Sequence, residues 1–218
     1  RAIIVIYAAR FLGATNWGVF SYALGIAAFL TIFSDIGINA LITRETAREP
    51  ELKSRYLSTA FFIKLALLAI CAALVIGLFP AVTTIPEALP LLPALLLIFA
   101  FDTLRDLGSA LSRALEKMEI EAGTSIATNA AITALGILAL IKYGSASSLA
   151  WAYAAGSGLG LIAIFWILRH HFSHLLRHFT SSLIKPIFMT AWPFGLLGIM
   201  GAIMTNTDIV MLGLLRAP

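Results

Sequence analysis

VFSYALGIAAFLTIFSDIGINALITRETAREPELKSR, residues 19–55, decides the fold class. No charge interrupts the run before Asp35. After it the chain carries Arg44, Glu45, Arg48, Glu49, Glu51, Lys53 and Arg55. An apolar run of about 20 residues that gives way to charge is a helix leaving hydrocarbon for water. The span is read as Val19–Leu41, with the charged stretch as a helical elbow at the membrane surface and Asp35 near the end of the span, where it touches substrate, a cation or, as the favoured reading, Arg44.

The same pattern repeats along the chain. Hydrophobic residues make up 60% and charged residues 12%, against about 25% charged in soluble domains, and mean hydropathy is +0.96. One globular core cannot bury so much apolar surface, so the expected class is an all-α, polytopic membrane helix bundle. A β-barrel is excluded, because barrels alternate apolar and polar residues over about ten-residue segments.

Ala2–Ala9 reads as the tail of a truncated first helix, and residues 9–18, with Gly13, Asn16 and Gly18, as a loop. Further spans are Leu57–Phe79, stopped by Pro80, then Leu91–Leu111, Ala122–Ile141 and Ser148–Leu168. PAVTTIPEALP, residues 80–90, reads as an exposed connection. Residues 169–185 form a basic linker, and one more span lies within Pro186–Leu215. Beginning at Arg1 with no signal peptide pattern, the chain reads as a fragment of a longer protein.

Loop charge gives orientation. Arg44, Arg48, Lys53, Arg55, Arg113, Lys117, Arg169, Arg177 and Lys185 fall on one side, against Arg10, Lys142 and Arg216 on the other. Nine against three places the first set in the cytoplasm. The net charge of +4 therefore belongs to membrane topology and not to nucleic acid.

Within the spans, Asp102, Asp106, Ser109 and Arg113 recur at helical spacing with Arg105 beside them. This polar stripe either lines an aqueous cavity or forms an internal Asp–Arg pair that locks packing. Lys64 is expected to snorkel to the interface. Ser125, Thr128, Asn129 and Gly136 form a small polar face, and Ala152, Gly156 and Gly160 a seam for close helix packing. Gly195, Gly198 and Gly201 precede Asn206 and Asp208 in the last span. His170, His174 and His178 are interleaved with Arg169 and Arg177, and read as an interfacial helix against anionic headgroups, not a metal site. Cys71 stands alone. No phosphate loop, zinc-protease or nucleophile-elbow motif is present, so neither a cofactor nor a metal is expected, and transport is favoured over enzymology.

Residues 9–48 resemble the amino-terminal signature of Wzx-type polysaccharide biosynthesis proteins, lipid-linked oligosaccharide flippases of the multidrug/oligosaccharidyl-lipid/polysaccharide exporter superfamily. The matching positions are Arg10, Leu12, Gly13, Gly18, Asp35, Gly37, Arg44 and Glu45. SRALEKMEIEA, residues 112–122, and TNTDIVMLGLL, residues 205–215, are similar to later stretches of that family.

The resemblance implies a six-helix amino-terminal lobe (1–168, first helix truncated), a cytoplasmic linker (169–185) and the first helix of a second lobe (186–218). It implies alternating access at the cytoplasmic membrane, with Arg10, Arg44 and Arg105 facing the anionic headgroup. Asp35, Asp102, Asp106 and Asp208 would pair with them or bind a coupling cation. The partners it implies are the lipid-linked oligosaccharide, membrane lipids and a polysaccharide polymerase or glycosyltransferase complex. A cation-coupled multidrug antiporter of the same superfamily is the alternative, and a membrane-embedded glycosyltransferase a more distant one.

Overall fold

The computed structural model describes residues 2–83, 85–172 and 179–215, with side chains in those ranges except at 2, 29, 32, 33, 50, 81, 82, 199 and 202–215. Among the described residues eight α-helices follow in order: α1 (Ala2–Asp35), α2 (Ile38–Arg48), α3 (Lys53–Val82), α4 (Leu92–Ala114), α5 (Met118–Tyr143), α6 (Ala146–Ile167), the short α7 (Arg169–Phe172) and α8 (Ile184–Leu215). No strand occurs among the described residues. Among the described residues, five helices are long and apolar enough to cross a membrane. Large apolar side chains such as Leu74, Leu78, Leu138 and Ile162 stand more than half exposed on the outer surface, which water would not tolerate over so wide an area and lipid does. The chain is a multi-pass membrane protein.

Punctuation between helices follows local chemistry. At the end of α4, Lys117 N–H donates to Ser112 O (2.9 Å) and Glu116 N–H to Arg113 O (3.0 Å). This is the double closure of a Schellman motif, with Glu116 left-handed at φ 58° where glycine is usual. Arg113 then pairs across the turn with Glu121. Gly144, at φ 61°, closes α5 by donating to Leu140 O (2.9 Å), and the Ser145 hydroxyl caps α6 by accepting from Ser148 N–H (3.2 Å).

Helix α1 corrects two expectations. Residues 9–18 are helical apart from Gly13, whose φ 72° and ψ 170° interrupt the helix. By length Ile3–Ala28 counts as one crossing, yet its contacts are those of a hairpin. Ile4 lies against Gly136 and Phe11 against Gly144, two turns farther along α5. Phe20 has returned to stack on Tyr153 at 5.2 Å, level with Ile4. The chain climbs to Gly13, reverses and descends through residues 14–35. The descending leg ends at Asp35 and not at Leu41, because Ile36 and Gly37 both have positive φ; α2 then carries the elbow onward to Arg48. Pro80 does not stop α3, which runs on to Val82. The expected exposed connection contains a 3-10 helix, Pro86–Leu91, with Ala88 and Leu91 buried.

Two cores hold the bundle. Phe20, Phe99, Ile132 and Tyr153 gather at the Gly144 end; Ile38, Leu57, Leu107, Ile164 and Ile187 gather at the end carrying the basic loops. The seam expected on α6 is formed with α5. A Cβ on Gly156 would come within 2.9 Å of the Ile132 backbone, and one on Gly160 would collide with the Thr128 hydroxyl. That hydroxyl is buried and donates to Thr124 O (2.7 Å), so the seam closes with this polar atom satisfied. Beyond α7, Phe179 stacks edge-on against Phe62 at 5.2 Å. Thr180 exchanges hydrogen bonds with the Thr59 hydroxyl, donating N–H (3.3 Å) and accepting at O (3.4 Å). The chain is thus pinned to α3 before α8 begins.

Candidate functional site

A cavity of about 380 Å³ opens between α1, α2 and α4 on one side and α8 on the other, with Phe194, Gly195 and Gly198 forming the α8 wall. Charge lines it from two helices, α4 and α1. On α4, Asp102, Arg105 and Asp106 face the space as the helical spacing predicts. Arg105 stands between the two acids, Nη1 3.1 Å from Asp102 and Nη2 3.3 Å from Asp106. The stripe thus lines this cavity and carries its Asp–Arg pairs within α4 itself. The contact with Asp106 is a hydrogen bond. The contact with Asp102 is out of line for one, leaving its Oδ1 buried with acceptor capacity unfilled; Asn39 Oδ1 is in the same condition. Of the rest of the stripe, Ser109 is buried away from this cavity and Arg113 turns to Glu121.

Asp35 supplies the opposite wall, and its partner corrects the expectation. Its carboxylate lies 2.8 Å from Lys64 Nζ, while Arg44 sits 3.4 Å from its neighbour Glu45. Lys64 does not snorkel: its side chain is 1% exposed, eleven residues into α3. A lysine so deep in an apolar helix needs a counter-charge, and Asp35 provides it from the end of α1. Asp35 Oδ1 also accepts from Asn39 N–H (3.2 Å), capping α2 across the break.

That break is under strain. Ile36 has φ 42°, a left-handed conformation costing a β-branched residue about 1–2 kcal/mol. Gly37 follows at φ 78°, packed so tightly on α8 that a Cβ would lie 2.7 Å from Phe194 Cβ and collide with the Ala191 carbonyl. A Cβ on Gly195 would in turn meet the Ile36 carbonyl carbon at 2.9 Å. Backbone touches backbone here, and the cavity begins beside the contact.

Of the remaining expected site residues, Arg10 is exposed near the Gly13 reversal, far from the cavity. Arg44 is 51% exposed and lines a separate recess of about 230 Å³ with Arg48 and Tyr56. The side chain of Asp208 lies outside the described residues, as do His174 and His178. The cavity thus brings together Asp35, Asp102, Arg105 and Asp106, adds Lys64 behind Asp35, and sets three carboxylates against two cations.

The family whose description is polysaccharide biosynthesis protein matches residues 1–218, and the chain belongs to it. No curated protein and no solved structure matches.

Proposed function

We propose that this member of the polysaccharide biosynthesis protein family is a flippase of the Wzx type, a transporter and not an enzyme. It would carry a polyprenyl-pyrophosphate-linked oligosaccharide across the cytoplasmic membrane by alternating access. The observation that carries the reading is the charged cavity between α1, α2 and α4 and the face of α8. A pyrophosphate–sugar headgroup is hydrated and anionic, and needs a polar cavity that offers it a cation while its lipid tail stays in hydrocarbon. In this reading residues 1–168 are one lobe, 169–185 the cytoplasmic linker, and α8 the first helix of a second lobe that rocks against the first.

Arg105 is the cation best placed to meet the phosphates, because it reaches the cavity where Arg10 and Arg44 do not. At rest its charge is taken up by Asp102 and Asp106, and that of Lys64 by Asp35. Headgroup binding would exchange these carboxylates for phosphate oxygens, and a proton or cation on the released acids would keep the site near neutrality. The test is restoration of surface polysaccharide by the full-length protein in a deletion strain. Wild type restores it, and Arg105→Ala, expressed at the same level, leaves it at background. Full restoration by Arg105→Ala would sink the role given to Arg105.

A second reading has its own observation. Three carboxylates against two cations suit a cationic drug exchanged for a proton or sodium ion. Restored resistance to cationic drugs without restored polysaccharide would select it.

A further inference from the structure

A second cluster of charge lies at the basic end, away from the cavity and independent of the flippase reading. The first turn of α3, the α4–α5 turn and α7 are drawn together by packing of Leu57, Leu111, Leu115, Leu168 and Phe172 in one core. Each carries a basic residue next to that packing: Lys53 one turn before Leu57, Lys117 two residues after Leu115, and His171 beside Phe172. The two lysines repel one another, and both act on His171. Among the described residues no carboxylate pairs with any of the three. Residues 169–185 contain no Asp or Glu, so this linker cannot supply one. Glu51, Glu116 and Glu119 flank the cluster in sequence, but they are exposed and unpaired with it.

Unpaired cations held together cost free energy that an anion would recover. The surroundings say which kind. Trp166, Ile167 and Met118 stand 68%, 49% and 64% exposed beside the junction, and Arg169 lies over the Trp166 ring at 5.3 Å, the arrangement of an aromatic at a headgroup layer. An apolar surface directly below a cluster of cations fits an amphiphile, with acyl chains on the helices and phosphate between the bases. We infer that Lys53, Lys117 and His171 form a binding site for the phosphate headgroup of an anionic membrane lipid in the leaflet on the basic side.

The site also takes up a proton. His171 is held below the usual histidine range by burial, then by Lys53, Lys117 and His170, so the empty site has a neutral imidazole at pH 7. A phosphate placed among these groups offsets the repulsion and raises the imidazole again. Binding therefore tightens as pH falls through the range in which the occupied site protonates and the empty one does not.

The experiment titrates the detergent-solubilised full chain with fluorescent phosphatidylglycerol, with fluorescent phosphatidylcholine, and with inorganic phosphate as competitor. Phosphatidylglycerol binds saturably and more tightly at about pH 5.5 than at about pH 7.5, values that span the ordinary histidine range. Lys53→Gln and Lys117→Gln each weaken it about fivefold, and His171→Gln removes the pH dependence while binding at the higher pH persists. Lys142→Gln, at the opposite end of the bundle, changes nothing. Equal binding of phosphatidylcholine, full displacement by millimolar phosphate, or an equal loss in Lys142→Gln would each overturn the assignment. Thermal unfolding of every variant, unchanged from wild type, separates lost binding from lost fold.

Discussion

Of the helix contacts built on glycine, two serve opposite ends. Along the α5–α6 seam, Gly156 and Gly160 are helical, and the facing helix fills the space they leave with the Ile132 side chain and backbone and with the Thr128 side chain. Nothing in the seam is charged or strained. Where α2 meets α8, Gly37 is left-handed, its neighbour Ile36 is strained, and the contact runs from backbone to backbone. A buried ion pair anchors this corner and a cavity opens beside it. The seam has one good arrangement and loses packing in any other. The corner is strained where α8 packs on it, and on the alternating-access reading separation of α8 would release part of that strain. On that proposed reading, the seam belongs to the fixed body of the bundle and the corner to the surface that moves.

Substitutions break this contrast by unequal amounts. Lys64→Met should have the largest effect, because it leaves Asp35 without its counter-charge. A loss of about 3 kcal/mol is expected, the low end for a broken buried pair since Asp35 opens on the cavity. Thermal unfolding in detergent measures it, and the double variant Asp35→Asn/Lys64→Met should recover much of the loss. Recovery failing there would mean that Lys64 serves more than Asp35.

Gly37→Ala comes next, at about 2 kcal/mol or more, since the left-handed penalty adds to displacement of α8. It should also lower transport beyond what the stability loss accounts for. Gly160→Ala should cost about 1–3 kcal/mol by overpacking, and transport should fall only in step with folded protein. If the seam variant cuts transport at full stability, the fixed-body assignment is wrong.

The smallest effect separates strain from packing. Ile36→Gly removes the left-handed penalty and should stabilise the resting state by about 1 kcal/mol. By favouring the docked corner it should slow turnover, read as initial transport rate at matched expression.

Much of the fold was legible because hydrocarbon enforces it. Apolar runs fixed the helices, and the acid–base spacing from Asp102 to Asp106 put a charged face on α4. What the pattern could not carry was pairing between helices. Lys64 viewed alone is a snorkelling lysine; only the register of α1 on α3 reveals Asp35 at its level. The ten-residue loop expected around Gly13 reduced to one residue because its neighbours keep their helical hydrogen bonds and turn formers there do not compel a turn. Ile36 gave no signal, since a β-branched residue is the last to suggest positive φ. Gly37 alone hinted at the break, and the role of Gly195 depends on a contact no local pattern encodes. Arg10 and Arg44, both proposed through resemblance, lie away from the cavity because one sits by the far reversal and the other on the exposed side of the elbow.

The Gly13 reversal also changes how this protein should be counted. Thirty-four residues in one rod would extend about 51 Å, well beyond the hydrocarbon of a bilayer. Folded at Gly13, the same residues make one full descent of about 33 Å and a shorter ascending arm. A hydropathy tally scores one pass where the chain makes a U-turn, and so misplaces everything amino-terminal to it. Tags at Ala8 and Gly18 should report the same depth and the same face of the membrane, as two rungs of one ladder.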